Sequence, residues 1–326
     1  RDKTILIAGG GHVGLSLALA LRRALPDLAV TVVDAAPPDA VLRDSRASAV
    51  AAAGRRMLTR LGVWREIADG AQAIEEMIIT DSRTGDAVRP VFLTFGGEAT
   101  DGEPFAQMMP NGVMMPALYE AAKALGVSFF APGTAETFRS HADHVELVLE
   151  DGALLKGRLL VAADGVRSRL RDLAGIRTVN WDYGQSGIVT TVKHERPHEG
   201  RAEEHFLPAG PFAILPLTGD RSSLVWTETP RAAQALMQLP DEDFAEELSR
   251  RFGDFMGAVR PGGPRWSYPL GLQIAEDYVR PRLVLVGDAA HAIHPIAGQG
   301  FNLGLRDAAA LADVLSEGRA AGLDIG

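Results

Sequence analysis

The sequence predicts an α/β protein: a Rossmann-type nucleotide-binding domain with a second, mainly antiparallel β-sheet domain. Three observations carry this. A glycine-rich turn joins an apolar run to an Ala/Leu-rich run near the N-terminus. Two later apolar runs, Leu159 to Ala163 and Leu283 to Val286, each close on an Asp and a Gly. From Asn180 onward, short β-branched and aromatic runs alternate with turn residues, the pattern of an antiparallel sheet.

Thr4 to Ala8 (TILIA) reads as a buried strand, followed by Gly9-Gly10-Gly11-His12-Val13-Gly14 and a helix to about Leu25. Strand, G-x-G-x-x-G and helix in this order mark a dinucleotide half-site, with Gly9, Gly11 and Gly14 as its glycines. Ala29 to Val33 is the next strand. Asp34 ends it, twenty residues after Gly14, at the acidic position that hydrogen-bonds a ribose. Pro37 to Asp44 is a loop. Arg46 follows it, before an Ala-rich helix ending near Leu61-Gly62; it is either a partner for a pyrophosphate or a solvated helix-start Arg.

Ile74 to Thr80 and Ala87 to Phe95 form a hairpin about Thr84-Gly85-Asp86. Val113 to Leu125 is a helix with Pro116 in its first turn, where proline is tolerated. Val127 to Phe130 is a strand. His144 to Leu149 pairs with Leu154 to Leu159 across Asp151-Gly152. The pairs Met108-Met109 and Met114-Met115 fill core. Asp164-Gly165 closes the strand Leu159 to Ala163, and Arg167, Arg169 and Arg171 decorate the helix after it, mostly as a solvated face, with a phosphate contact for one of them as the alternative.

In the second part, residues 188–192, 203–207, 212–217 and 223–227 are strands. Asp241 to Phe252 is a helix with Phe244, Leu248 and Phe252 on one face, and Arg260 to Pro264 is a linker. The strand Phe212 to Leu217 with Trp226 is either the wall of a substrate pocket or core packing. These elements divide the chain into residues 1–73, 100–180 and 266–326 for the nucleotide-binding domain, and 74–99 with 181–265 for the second.

The segment LVLVGDAAHAIHPIAGQGFNLGLRD (283–307) decides between NAD and FAD. A plain NAD site needs no second Asp-tipped strand with a glycine loop; the longer FAD does. Asp288, after Gly287, suits a ribityl hydroxyl. The N–H groups of Gly298, Gln299 and Gly300, at a helix start near Gly300, suit the flavin edge that becomes anionic on reduction. Asp288, His291 and His294 are spaced like metal ligands, but a Pro- and Gly-bearing loop presents no single face and a fourth ligand is missing, so no metal is expected. His291 and His294 read as hydrogen-bonded loop residues. No G-x-S-x-G elbow occurs.

Composition narrows the class. In 326 residues, 46% are hydrophobic, enough for a large core. A formal net charge of −9 argues against a nucleic-acid groove. The absence of cysteine excludes disulfides and thiolate chemistry and fits a reducing compartment. No signal peptide and no run approaching the ~18 apolar residues of a membrane span are read.

The segments GGGHVG, DSRASAV, VAADGVRSRLR, WDYGQSG, GPFAILPL and GDAAHAIHPIAGQGFNLGLRD, in this order, resemble the ubiquinone-biosynthesis hydroxylase family. These are class A FAD-dependent aromatic monooxygenases, similar in fold to para-hydroxybenzoate hydroxylase. The resemblance spans nearly the whole chain and is most specific in HPIAGQGFNLGLRD. It implies FAD, NAD(P)H as co-substrate without a domain of its own, O2, and hydroxylation of a polyprenylated phenol by a flavin C4a-hydroperoxide. It implies Arg46 near the FAD, Asp164 and Gly165 touching FAD and NAD(P)H, Asp288 on the ribityl chain, and Pro295, Gly298 and Gly300 beside the isoalloxazine as the catalytic loop. A cytoplasmic protein is expected, in peripheral contact with the inner membrane face or part of a biosynthetic complex. Two departures stand out: Asp34 where the family more often has Glu, and no Arg near Asn111. Family members continue well beyond the position of Gly326 through a helical region. Two alternative functions remain: monooxygenation of a soluble aromatic compound, and a non-catalytic flavin-binding subunit of a biosynthetic complex.

Overall fold

The Gly-rich motif opens a sheet ordered 128–130, Ala29–Val33, Thr4–Ala8, Leu159–Ala162, Leu283–Leu285 and Val279–Arg280. The first five strands run parallel and the last is an antiparallel edge. The computed structural model describes residues 4–37, 44–86, 89–96, 98–100 and 102–326, apart from the side chains of Glu98, Thr100 and Ala297. The expected loop over 37–44 falls mostly outside the described residues, as do residues 87 and 88 of the expected hairpin.

Strand order reverses between Thr4–Ala8 and Leu159–Ala162, so their carboxyl ends flank the switch point where such sheets bind ligands. Alternation along each strand builds two cores. Ile5, Ile7, Leu159 and Val161 face the helices His12–Ala24, Asn111–Ala124 and Gln299–Ala320. Leu6, Ala8, Leu160 and Ala162 face Val145, Leu147 and Leu149. The second face is thus covered by a three-stranded antiparallel sheet, Ala135–Ser140, Val145–Leu149 and Leu154–Gly157, where a doubly wound fold has helices. A one-residue slip of a central strand would exchange its two buried faces, so register is strongly specified. The four methionines at 108, 109, 114 and 115 are core, as expected.

The second body is a nine-stranded sheet. Its path is His291–Ala292, Trp266–Ala275, Thr178–His194, Arg221–Glu228, Gly210–Leu217, Arg201–Leu207, Glu76–Asp81 and Val91–Gly96, with Val259–Pro261 pairing off the path. It is antiparallel except where Arg201–Leu207 meets Glu76–Asp81. The 17-residue strand Thr178–His194 starts ten residues before the expected one. A bulge between Asp182 and Gln185 makes this possible: Gly184 has φ 64°, and its N–H donates to Asp182 Oδ1 at 2.8 Å. The helix Asp241–Phe252 forms as expected, with three acidic residues in its first turn and two arginines in its last favouring the helix dipole.

Among the elements that the sequence pattern does not mark are a helix and two strands. The helix Pro230–Gln238 follows Thr229, whose hydroxyl accepts from Ala232 N; Thr-Pro is a recognisable helix start. The short strand Val259–Pro261 runs into the expected linker at 260–264. Arg46 is followed by a strand, Ala47–Ala51, before the helix Ala52–Arg60; that strand pairs with Ala106–Pro110, which also holds Gln72–Ile74. Small alanines carry little periodicity, so only the pairing partner reveals a strand there. Among the described residues no helix is long and apolar enough to cross a membrane.

Candidate cofactor and substrate site

Three separated pieces of chain meet at the carboxyl ends of the parallel strands. A Cβ on Gly9 would lie 2.1 Å from Ala163 O, and one on Gly14 1.9 Å from Gly9 O. Both glycines therefore act by close packing: Gly9 seats the first piece on the second, and Gly14 closes the glycine-rich turn on itself. Val13 does the same toward the third: Cβ atoms on Gly304 and Gly287 would meet its methyls at 2.4 and 3.3 Å. Gly11, Gly165 and Gly300, by contrast, meet nothing within 4 Å and border open space.

Arg171 joins the second piece to the third. It was expected on a solvated face, but it is 3% exposed. Its Nη1 donates to Val166 O at 3.0 Å, to Gln273 Oε1 at 2.9 Å and to Ala289 O at 3.3 Å. The helix Arg169–Leu173 is so short that its buried side is set by those neighbours and leaves no periodic signal.

Around the start of the first helix, donors and acceptors are poised for a ligand. Leu15 N to Gly11 O is the first intrahelical bond, so the N–H groups of His12 to Gly14 are not consumed by the helix. Asp34 accepts from Gly10 N and from Ala36 N (2.7 Å), which orients its carboxylate at the strand end. A cleft of about 380 Å³ runs past Gly9, Gly11, Asp34, Asp164, Gly165 and Arg167. Gly133 and Thr134 close its far side and were not foreseen. Asp164 turns inward: it accepts from Ser168 Oγ and from Leu170 N (3.2 Å), so it shapes the turn bordering the cleft rather than offering a free carboxylate.

The remaining candidates lie on the other side of this helix start. Arg46 is held by Asp44 through two hydrogen bonds of 2.9 and 2.8 Å, and Asn111 Nδ2 donates to the same carboxylate at 2.9 Å. Burial opposes the Asp44 charge, but those donors outweigh it and hold the carboxyl well below the usual range. His12 sits against this group and edge-on to Phe301, 5.3 Å between ring centroids. Burial lowers its pKa to about 4; Asp44 opposes this, Arg46 reinforces it and Asn111 opposes it. Its Nε2 is buried without a partner. Asp288 is exposed, with its carboxyl pushed up by desolvation against the opposing effect of His291. His291 Nε2 lies 2.7 Å from Asp307 Oδ2, which also accepts from Gly287 N at 2.7 Å. The Asp307 hydrogen bond raises the His291 pKa, so this histidine braces the loop, as expected of a hydrogen-bonded residue.

The loop Pro295 to Gly300 is held from behind. Gly298 has φ 60°, and a Cβ there would lie 2.6 Å from Ala49 Cβ. Asn302, 6% exposed, donates from Nδ2 to Ala49 O (2.9 Å) and Gly298 O (3.0 Å) and accepts from Ala51 N at 2.9 Å. The long helix starts at Gln299, one residue before the expected Gly300, with its first turn at the loop. The open space at Gly11, Gly165 and Gly300, the uncommitted helix N–H groups, and the carboxylates of Asp34 and Asp288 suit an extended dinucleotide.

The family described as "FAD binding domain" matches residues 2–322. Ubiquinone hydroxylase UbiL of Rhodospirillum rubrum is 47% identical over 326 residues, covering 99% of this chain and 74% of that one. The 3-demethoxyubiquinol 3-hydroxylase of Escherichia coli is 36% identical, covering 98% of this chain and 81% of that one. The chain belongs to the ubiquinone-biosynthesis hydroxylase family of FAD-binding proteins. A solved structure of PqsL from Pseudomonas aeruginosa, described as a probable FAD-dependent monooxygenase, superposes with a TM-score of 0.82 at 25% identity. That match covers all of this chain and 89% of that one.

In this family member the large sheet presents one face to the same loop. Trp266 Nε1 donates to Ser45 Oγ at 3.3 Å, beside Arg46. Tyr183 lies edge-on to His294 at 5.5 Å, and burial lowers the His294 pKa. Ala202, Leu215 and Met77 pack with Ala47 and Ala49, and Ala49 touches Gly298. Phe212 and Trp226 resolve to core, not to a pocket wall. Both are fully buried with Phe244 against the helices, because the strand's alternation sends them to the opposite face.

Proposed function

We propose that the protein is an FAD-dependent monooxygenase that hydroxylates the aromatic ring of a prenylated phenol in ubiquinone biosynthesis, using NAD(P)H and O2. The observation that supports it most is the mutual bracing of the three glycine- and Asp-bearing pieces, through Gly9 on Ala163, Val13 on Gly287 and Arg171 on Ala289, in a chain 47% identical to a ubiquinone hydroxylase.

FAD, when bound, supplies the electron transfer and oxygen activation. This chain's residues supply the rest. The N–H groups of His12 to Gly14 and the Arg46 guanidinium meet the pyrophosphate charge. Asp34 and Asp288 accept from ribose and ribityl hydroxyls. Gly9, Gly14 and Gly287 set the close approach, while Gly11, Asp164 and Gly165 border the cleft. Pro295, Gly298, Gln299 and Gly300 bring the helix start against the ring system. The facing sheet excludes water from the substrate, which favours hydroxylation over peroxide release. Peripheral membrane contact or a biosynthetic assembly suits a substrate with an apolar tail.

The test is to load the chain with FAD, add NAD(P)H, O2 and a prenylphenol, and analyse the product by mass spectrometry. A product carrying one added oxygen atom supports the reading. Flavin reduction with no hydroxylated product from any prenylated phenol refutes it, and preference for a short polar phenol transfers the activity to soluble aromatics.

A further inference from the structure

One row across the large sheet carries a lone carboxyl. Through direct register partners it runs Ile79, Glu204, Ala213, Val225, Val189 and Trp266. Two contacts show which way this face looks. Trp266 reaches Ser45, next to Arg46. In the neighbouring row, Ala202 packs with Ala47 and Ala49, and Ala49 abuts Gly298. The row therefore lies on the wall that faces the flavin-side loop.

Glu204 is 4% exposed. Among the described residues no ion pair or hydrogen bond reaches its carboxyl. Its strand partners on this face are Ile79 and Ala213. Its neighbour Glu203 shows the contrast: pointing to the other face, it pairs with Arg201 at 2.7 Å and His205 at 3.0 Å. Burying a carboxyl without a partner costs stability, and burial pushes the Glu204 carboxyl up. Glu203 has two cationic neighbours, whereas the Glu204 carboxyl has no such neighbour on the face turned toward the flavin-side loop, which leaves a polar group open to a ligand.

We propose that the Glu204 carboxyl anchors the ring hydroxyl of the phenolic substrate, gripping it by a hydrogen bond against an otherwise apolar row. This rests on the phenol reading above. Glu204 is the group that distinguishes a phenol from the same ring with its oxygen capped.

The experiment compares a prenylphenol with its methyl ether on the FAD-loaded full chain, in wild type, Glu204→Gln and Glu204→Leu, following binding by the flavin absorbance change. Wild type is expected to prefer the phenol on the order of tenfold or more, as one hydrogen bond to a carboxyl group provides. Glu204→Leu is expected to bind both about equally, keep its FAD, and melt at the same temperature or higher, because a bare buried carboxyl has been removed. Glu204→Gln, close in shape, keeps part of the preference and serves if the Leu variant does not fold. A preference undiminished in both variants overturns the assignment while the hydroxylase reading stands. A wild type that neither binds nor hydroxylates the prenylphenol overturns both.

Discussion

Replacing Asn302 by Ala tests how the flavin-side loop is held. The side chain is buried and makes three hydrogen bonds, to Ala49 O, Gly298 O and from Ala51 N. A net 0.5–1.5 kcal/mol for each, with backbone groups left unpaired, gives a loss of about 2–4 kcal/mol. The loop and the strand Ala47–Ala51 would also lose their only shared side-chain clamp among the described residues. FAD affinity should fall about tenfold, the equivalent of roughly 1.4 kcal/mol spent on ordering the loop. Urea unfolding followed by circular dichroism reads the first effect, and flavin fluorescence titration the second. Asn302→Asp should be at least as harmful near neutral pH, since it sets an acceptor against two carbonyls. A loss under about 0.5 kcal/mol with unchanged FAD affinity would refute the clamp.

His12 predicts an acid-sensitive fold. Its folded pKa of about 4 lies below the ordinary 6.5, so between these values the unfolded chain binds more protons and stability falls as pH falls. The contribution is complete above about pH 6.5, and at most about 3 kcal/mol is lost by about pH 4. Urea midpoints of FAD-free wild type and His12→Gln should diverge across that window; superimposable pH profiles would show the imidazole is not desolvated. Gly14 and Gly300 form a contrasting pair. Gly14→Ala places a Cβ 1.9 Å from Gly9 O, outweighing the ~1 kcal/mol of helix propensity it gains, so both melting temperature and flavin content should drop. Gly300→Ala meets no protein atom within 4 Å, so it should keep the melting temperature of the FAD-free chain and weaken FAD alone. Equal effects of the two on the FAD-free fold would contradict this division.

By itself the sequence determined the parallel sheet's strands, the Gly-rich start, both Asp-tipped strand ends and the helix Asp241–Phe252. Each rests on signals within a few residues: turn chemistry, an apolar run, or side chains at helical spacing. It also carried the family, because the motifs fall in order along nearly the whole chain. Only the tertiary structure decided which side chains brace the site and which lie bare in it. Arg171 looked solvated but closes onto Ala289, 118 residues away; Asn302 reaches back 253 residues to Ala49. Glu203 and Glu204 are alike as letters, yet the pleat sends one to a partnered face and the other to the apolar wall. Local patterns dictate where the backbone turns. The surroundings of a buried charge depend on strands far apart in sequence, and those meet only when the sheets close.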